Sequence, residues 1–255
     1  MNCIYCRVPT DGTEGVAHVF PEGLVSNDVT LDPGAVCDDC NHRLGAKLDA
    51  ALVDHPLISF AVQWQGLRGG KENKLRLSLG GIERDPHGRS ITIPVDLDED
   101  SVVWDEGGRI KSRDVRVAQL VKHGTDEWRF SRALYHVGLN VIAHARGPRF
   151  ALQSEFDPVR RYVREPDRKD RWPYAIRSEG LHSIPEMLYA ESVSGAPDGV
   201  LKLVFFQTEI WIDVRNRPTF RNWVDESLPG DVTFRVPRRP SGRRRKRLYE
   251  LTIYL

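Results

Sequence analysis

Two cysteine pairs frame the first forty residues of the chain, as Cys3-Ile4-Tyr5-Cys6 and Cys37-Asp38-Asp39-Cys40. These are the only four cysteines in the sequence. A C-x-x-C pair can place both sulfurs on one ion, because a tight turn brings them to the same side. Two such pairs complete the four-cysteine shell of a closed structural zinc site. The interval between the pairs is longer than in a common zinc ribbon, so we expect a further structure inside the loop.

Disulfide bonds are the alternative use of these cysteines. No secretory signal pattern is visible, since Cys3 falls where the apolar region of a signal peptide would have to begin. Two C-x-x-C pairs without any other cysteine are also typical of a reducing compartment. Both features favour zinc and predict a cytoplasmic protein. No apolar run reaches the ~18 residues that a membrane span requires, so no membrane partner is expected.

A histidine motif lies between the two pairs, and an asparagine follows the second pair. The loop contains Ala17-His18-Val19-Phe20-Pro21, and Asn41 comes directly after Cys40. In this order of C-x-x-C, H-x-x-P and C-x-x-C-N, residues 1–55 resemble the HNH endonucleases of the four-cysteine ββα-metal type. A fainter similarity covers residues 128–164. The resemblance implies an α+β fold that begins with a zinc-stabilised ββα-metal module.

The resemblance also implies roles for two residues inside this frame. His18 matches the general base, which takes a proton from the water that attacks phosphorus. Asn41 matches a ligand of one catalytic divalent ion, Mg²⁺ or Mn²⁺, which neutralises charge on the phosphodiester. Zinc on the four cysteines would then be structural. The implied function is that of a metal-dependent HNH-type endonuclease acting on nucleic acid, with DNA as the expected substrate.

One position departs from the family pattern. Family members place an acidic metal ligand directly before the histidine, where this chain has Ala17. Two interpretations stay open. The protein is either a nuclease whose second metal ligand has moved, or a catalytically silent zinc protein that binds nucleic acid or serves as a scaffold. Four side chains are candidates for a relocated ligand: Glu14, Glu22, His42 and Asp49.

Charge is unevenly distributed, although the net charge of the 255 residues is only +1. Residues 1–56 carry three basic and nine acidic side chains, so this part alone would repel a polyanion. The segment 235–247, RVPRRPSGRRRKR, contains eight basic side chains in thirteen positions. We therefore predict that it binds nucleic acid through the phosphates. The predicted contacts are Arg238, Arg239, Arg243, Arg244, Arg245, Lys246 and Arg247.

A second basic segment, residues 157–174, alternates arginines with Tyr162, Trp172 and Tyr174. Arginine forks suit phosphates, and aromatic faces can stack on bases. The aspartates interspersed in this segment fit a solvated, salt-bridged surface equally well. Both interpretations remain open at this stage.

The periodicity of apolar residues predicts two parts, a zinc-bound nuclease module over 1–56 and a mixed α+β domain over 57–255. A helix over 43–53 is indicated by leucines at i, i+4 and i+8. These are Leu44, Leu48 and Leu52. The second part is expected to present nucleic acid to the first or to dock a protein partner.

Within the second part, alternation of apolar and polar residues predicts strands over 57–106, a hairpin over 199–216 and a terminal strand over 249–255. The hairpin turn is placed near Thr208-Glu209. Residues 112–145 are predicted to be helical, in two pieces broken at Gly124. The basic segment should therefore be a loop held between strands at both ends.

Overall fold

In the computed structural model, the described residues are 1–53 without 13–14, 23 and 25–28, the single residues 55 and 58, and 127–237 without 168, 179–187 and 207. For the strands between residues 76 and 123, and for the strand over 246–254, the structure describes the backbone but not the side chains. No helix within these ranges is long and apolar enough to cross a membrane.

A helical stretch follows the second cysteine pair. It consists of α1 (Asp38–Leu44), a π-helical turn (Gly45–Asp49) and α2 (Ala50–Val53). The helix was predicted to begin at residue 43, and this start is wrong, because the observed helix begins five residues earlier, at Asp38. The earlier start follows from the two aspartates in the first turn, which suit the positive end of the helix. The predicted leucine stripe is confirmed, because all three leucines are buried.

A 20-residue helix, α3 (Glu127–Arg146), lies in the core. Apolar residues spaced by four, three and four along the sequence predict a core-facing stripe on this helix. Phe130, Leu134 and Val137 of this stripe are buried, and Val141 is partly buried. Two further helices follow in the sequence, α4 (Pro148–Ala151) and α5 (Asp157–Arg164).

Short strands precede α3 in the chain. They are β1 (Arg76–Ser78), β2 (Gly81–Glu83), β3 (Val103–Trp104), β4 (Ile110–Ser112) and β5 (Asp114–His123). The first three fall within the predicted β-rich stretch.

An antiparallel five-stranded sheet follows α5 in the chain. Its strands are β6 (Tyr174–Ser178), β7 (Leu188–Ser192), β8 (Val200–Phe205), β9 (Thr208–Asp213) and β10 (Thr233–Arg235). They are arranged in the order β10-β6-β9-β8-β7, and α6 (Phe220–Ser227) connects β9 to β10. The architecture is therefore α+β, as predicted.

The hairpin predicted over 199–216 is formed by β8 and β9. Its turn lies earlier than predicted, because Thr208 already pairs with Phe205 across the two strands. Phe206 takes the left-handed conformation that the tight turn needs, with φ of 60°.

The helix predicted from residue 112 to Gly124 is wrong, because this stretch forms β5. It pairs antiparallel with β11 (Lys246–Tyr254), with Val117 opposite Leu251 and Leu120 opposite Tyr249. Valines at alternate positions of β5 favour the extended form. Its partner lies at the far end of the chain, so the local pattern alone did not reveal the pairing. Gly124 lies outside the described residues.

The basic segment is only partly described. Strands β10 and β11 flank it, in agreement with a loop held at both ends. Five of the predicted nucleic-acid contacts lie outside the described residues: Arg238, Arg239, Arg243, Arg244 and Arg245. Lys246 and Arg247 are the first two residues of β11, of which the structure describes only the backbone.

The aromatic residues of segment 157–174 are packed inside the protein. Tyr162, Trp172 and Tyr174 are at most 4% exposed. The ring of Tyr162 stacks on that of Trp172 at a centroid distance of 4.8 Å. These faces are covered by protein and so cannot stack on bases.

One hydrophobic core joins the N-terminal cysteines, α3 and the sheet. Helix α3 lies directly on β9 at Gly138, where an added Cβ would come within 2.5 Å of Cδ1 of Ile212. A glycine lets the helix approach this closely, because a side chain there would have to displace the ends of Ile212 and Val214. The division of the chain at residue 56 remains a prediction.

Candidate functional site

The four cysteines converge in the folded chain. Cys3 and Cys40 are buried, while Cys6 and Cys37 are partly exposed, and all four are free of disulfide bonds. Their sulfur atoms lie within 4.8 Å of one another. A tetrahedral site with zinc–sulfur bonds of about 2.3 Å has sulfur–sulfur edges of about 3.8 Å. This cysteine cluster therefore fits a zinc site.

Backbone hydrogen bonds bring the two pairs together. The amide of Arg7 donates to the carbonyl of Cys3 at 2.9 Å and closes the first turn, in which Arg7 has φ of 62°. The amide of Ile4 donates to the carbonyl of Ala35 at 2.8 Å, which ties this turn to the segment before the second pair. Cys40 lies in the first turn of α1. The cluster is thus held by local structure on both sides.

The electrostatics of the cluster favour a bound cation. A hydrogen bond from Cys40 lowers the pKa of Cys3 to about 4. The same contact, together with burial, raises the pKa of Cys40 well above its usual range. The two sulfur atoms are thus close enough for the ionisation of one thiol to oppose that of the other. A metal ion would compensate the charge of several thiolates and release their protons.

Next to the cluster, two extended segments form a short antiparallel ribbon, defined here as residues 17–19 and 29–31. His18 is bridged to Thr30, and the amide of Leu31 donates to the carbonyl of Ala17 at 2.8 Å. The side-chain amide of Asn41 donates to the carbonyl of Val16 at 3.2 Å and fastens α1 to the ribbon. Two strands and a helix are thereby held beside the cysteine cluster, which is the ββα arrangement.

A cleft of about 630 Å³ opens between the ribbon, the helical stretch 38–53 and α3. It brings His18 and Asn41 into one site. Of the four candidates for a relocated ligand, Glu22, His42 and Asp49 line the cleft, and Glu14 lies outside the described residues.

His18 is the histidine of the motif, and its side chain is 31% exposed. Its Nε2 atom lies 3.9 Å from a carboxylate oxygen of Glu22. Its Nδ1 atom is buried and has no hydrogen-bond partner among the described residues. A buried polar atom without a protein partner is often explained by a water or an ion at that place. A water molecule or an ion in the cleft would satisfy this atom.

Asn41 is the fourth residue of α1, and its backbone amide donates to the carbonyl of Cys37 at 2.9 Å. Asn41 therefore lies at the end of the first helical turn, two residues before the predicted start of the helix at residue 43. The bond from its side-chain nitrogen to Val16 orients the side chain, so that the amide oxygen is the atom offered to a cation.

Asp49 ends the π-helical turn and faces a histidine of α3. Its Oδ1 atom lies 3.9 Å from Nδ1 of His136. Burial raises the pKa of Asp49 to about 7, although 38% of its side chain is exposed to solvent. Burial, with a smaller effect of Arg132, lowers the pKa of His136 to about 4. The imidazole is therefore neutral at neutral pH, as a metal ligand must be.

Asn140 of α3 connects the ribbon to the first cysteine turn. Its Nδ2 atom donates to the carbonyl of His18 at 3.2 Å, and its Oδ1 atom accepts the hydroxyl of Tyr5 at 2.5 Å. One turn further on, Nδ1 of His144 lies 3.1 Å from the carbonyl of Thr30. The sequence predicted a helix here but did not indicate these polar contacts. The signal was a polar row at i, i+4 and i+8, formed by His136, Asn140 and His144.

Asn140→Ala is expected to lower the free energy of unfolding by about 1–3 kcal/mol, because the His18 carbonyl loses its side-chain partner and the Tyr5 hydroxyl keeps only its longer bond, of 3.3 Å, to the carbonyl of His136. Chemical denaturation measures this change. His144→Ala is the matched control, since it removes an exposed contact from the same helix to the same ribbon and should cost at most about 0.5 kcal/mol. Equal losses in the two variants would contradict a special role for Asn140.

Comparison with known proteins agrees with the geometry. Residues 3–57 match the HNH endonuclease family, over about a fifth of the 255-residue chain. The resemblance of residues 1–55 to this family is thereby confirmed, and residues 128–164 lie outside the match. No curated protein and no solved structure gives a significant match. The match supports a nuclease and, with it, a nucleic-acid substrate.

Proposed function

We propose that the protein is a metal-dependent endonuclease that hydrolyses phosphodiester bonds in nucleic acid, with DNA as its expected substrate. The observation that carries this proposal is the convergence of His18 and Asn41 in one cleft beside the cysteine cluster. Both residues lie within the segment that matches the HNH endonucleases.

His18 acts as the general base in this proposal. Histidine is the side chain that most often takes a proton from water at neutral pH. The carboxylate of Glu22, 3.9 Å from Nε2, would stabilise the positive charge that the ring gains. Asn140 holds the backbone of His18 in place and is therefore a positioning residue.

The cleft fits a divalent ion such as Mg²⁺ or Mn²⁺. Amide and carboxylate oxygens are the ligands that these ions prefer, and Asn41 offers an amide oxygen. When bound, such an ion neutralises charge on the phosphodiester and stabilises the leaving oxygen. Zinc on the cysteine cluster is structural in this proposal, and it fixes the ribbon against α1.

Binding of the polyanion is assigned to the basic segment 235–247. The part that carries the proposed catalytic residues is acidic, with three basic against nine acidic side chains over 1–56. Phosphate attraction must therefore come from elsewhere in the chain. The eight basic side chains of the segment provide it.

A second candidate is a catalytically silent zinc protein that binds nucleic acid or serves as a scaffold. The observation that favours it is Ala17, which is buried and offers no ligand where the family has an acid. The two candidates differ in one measurable property, which is cleavage in the presence of a divalent ion.

Nicking of supercoiled plasmid DNA tests the proposal. The purified protein, with its zinc content measured first, should nick the plasmid when Mg²⁺ or Mn²⁺ is added and should not do so with the buffer alone. Single-stranded DNA and RNA serve as alternative substrates in the same assay. Binding of nucleic acid without any cleavage, at all concentrations of either ion, would favour the silent protein.

A further inference from the structure

We propose that Asp49 and His136 together hold a divalent cation in the cleft, and so supply the carboxylate ligand that is missing at position 17. This inference deepens the proposed nuclease function and rests on it for its role in the reaction. The binding itself is a separate property of the chain. Asp49 lies inside the segment that matches the HNH endonucleases, whereas His136 lies outside it, so the pair combines one residue of the matched segment with one of α3.

The separation of the two side chains fits ligands of one ion. Oδ1 of Asp49 and Nδ1 of His136 are 3.9 Å apart, which is too long for a hydrogen bond. Ligands at about 2.1 Å from an octahedral ion are about 3.0 Å apart when adjacent and about 4.2 Å apart when opposite. The observed separation matches neither value, but it differs from each by less than about 1 Å, so a small movement of the two side chains would let both bind one ion. Carboxylate oxygen and imidazole nitrogen are both ligands that Mn²⁺ accepts.

The described surroundings of Asp49 contain too little positive charge to balance its carboxylate. Among the described residues, its ion-pair contact is with His136, and no lysine or arginine lies within ion-pair distance of its carboxylate. A partly buried carboxylate without a positive partner loses part of its hydration, and no attraction offsets this loss. A divalent cation in the cleft would offset it.

The π-helical turn explains why Asp49 lines the same cleft as Asn41. Eight residues of a regular α-helix rotate by about 800°, which would leave Asp49 about 80° away from the side of Asn41. The wider turn over Gly45–Asp49 rotates less per residue and brings Asp49 back towards that side. Turns of this kind are frequent at functional sites.

The other acidic side chains of the cleft are less suited to this task. The carboxylate of Glu22 is 77% exposed and lies beside His18. The carboxylate of Asp38 accepts the backbone amide of Gly15 at 2.8 Å. Of the described acidic side chains that line the cleft, Asp49 is therefore the one that is partly buried and has a neighbouring imidazole, that of His136.

Mn²⁺ binding to the zinc-loaded protein tests the inference, by calorimetry and by the electron paramagnetic resonance signal of free Mn²⁺. Asp49→Asn and His136→Gln should each weaken Mn²⁺ binding at least about tenfold, as expected for loss of a ligand. Asp39→Asn is the matched control, since it removes one negative charge from the same helical stretch outside the cleft. It should leave Mn²⁺ binding within about twofold, because a solvent-exposed charge is screened by salt.

The outcomes separate this inference from the proposed function. Mn²⁺ binding that depends on Asp49 and His136, in a protein that cleaves nothing, would uphold the cation site and overturn the nuclease. Cleavage by the parent protein, with unchanged Mn²⁺ binding in both variants, would overturn the cation site alone. Zinc content equal to that of the parent shows that each variant is folded. If one of the two variants loses its zinc, Mn²⁺ binding to the other variant tests the cation site.

Discussion

Replacing His18 with Ala is expected to abolish nucleic-acid cleavage. A positioned general base contributes about 10²–10⁴-fold to the rate, so the loss should reach at least the lower end of this range. The methyl group of alanine cannot accept the proton of the attacking water. The rate of plasmid nicking at saturating Mg²⁺ or Mn²⁺ measures the effect.

The backbone of His18 should stay in place in this variant, because the bridge to Thr30 and the bond from Asn140 use main-chain atoms. Zinc content and DNA binding should therefore equal those of the parent protein. His144→Ala is the control, since it removes an exposed imidazole that contacts the same ribbon. A His18→Ala variant that cleaves as fast as the parent would exclude His18 as the base.

Replacing Cys37 with Ser is expected to have the largest effect on stability. Structural zinc contributes on the order of 10 kcal/mol to the folding of small metal-bound units, and loss of one thiolate forfeits much of it. Cys37 also precedes α1 directly, so the start of the helix loses its anchor. Zinc analysis and thermal unfolding followed by circular dichroism measure the result.

Cys37→His gives the matched comparison, because imidazole can complete a zinc site with three cysteines. This variant should retain more zinc and melt at a higher temperature than Cys37→Ser. The zinc assignment would fail if the parent protein, freshly purified under reducing conditions, were fully folded without metal.

The cysteine cluster and the positions of the two motif residues could be predicted from sequence because their geometry is local. Each C-x-x-C pair closes within one turn, and Asn41 is the neighbour of Cys40. The spacing of such residues fixes where they point. For His18, the frame of four cysteines added the long-range information that a lone histidine would lack.

What α3 contributes to the cleft could not be predicted in the same way. His136 and Asn140 lie about 80 residues beyond the end of the match at residue 57. Their polar row on a core helix was visible, but nothing in the sequence indicated which surface it faces. The strand β5 was mistaken for a helix for a related reason, since β11 is more than 120 residues further along the chain.

The shared hydrophobic core has a consequence for cooperativity. The cysteine cluster, α3 and the sheet bury their apolar side chains against one another. Opening the metal site would therefore expose part of the surface that stabilises the sheet, and opening the sheet would loosen the ribbon that carries His18. The cleft and the sheet should therefore unfold together, and the amide hydrogens of the cleft should be among the last of the protein to exchange with solvent. Such rigidity would let the cleft receive substrate without first having to order itself.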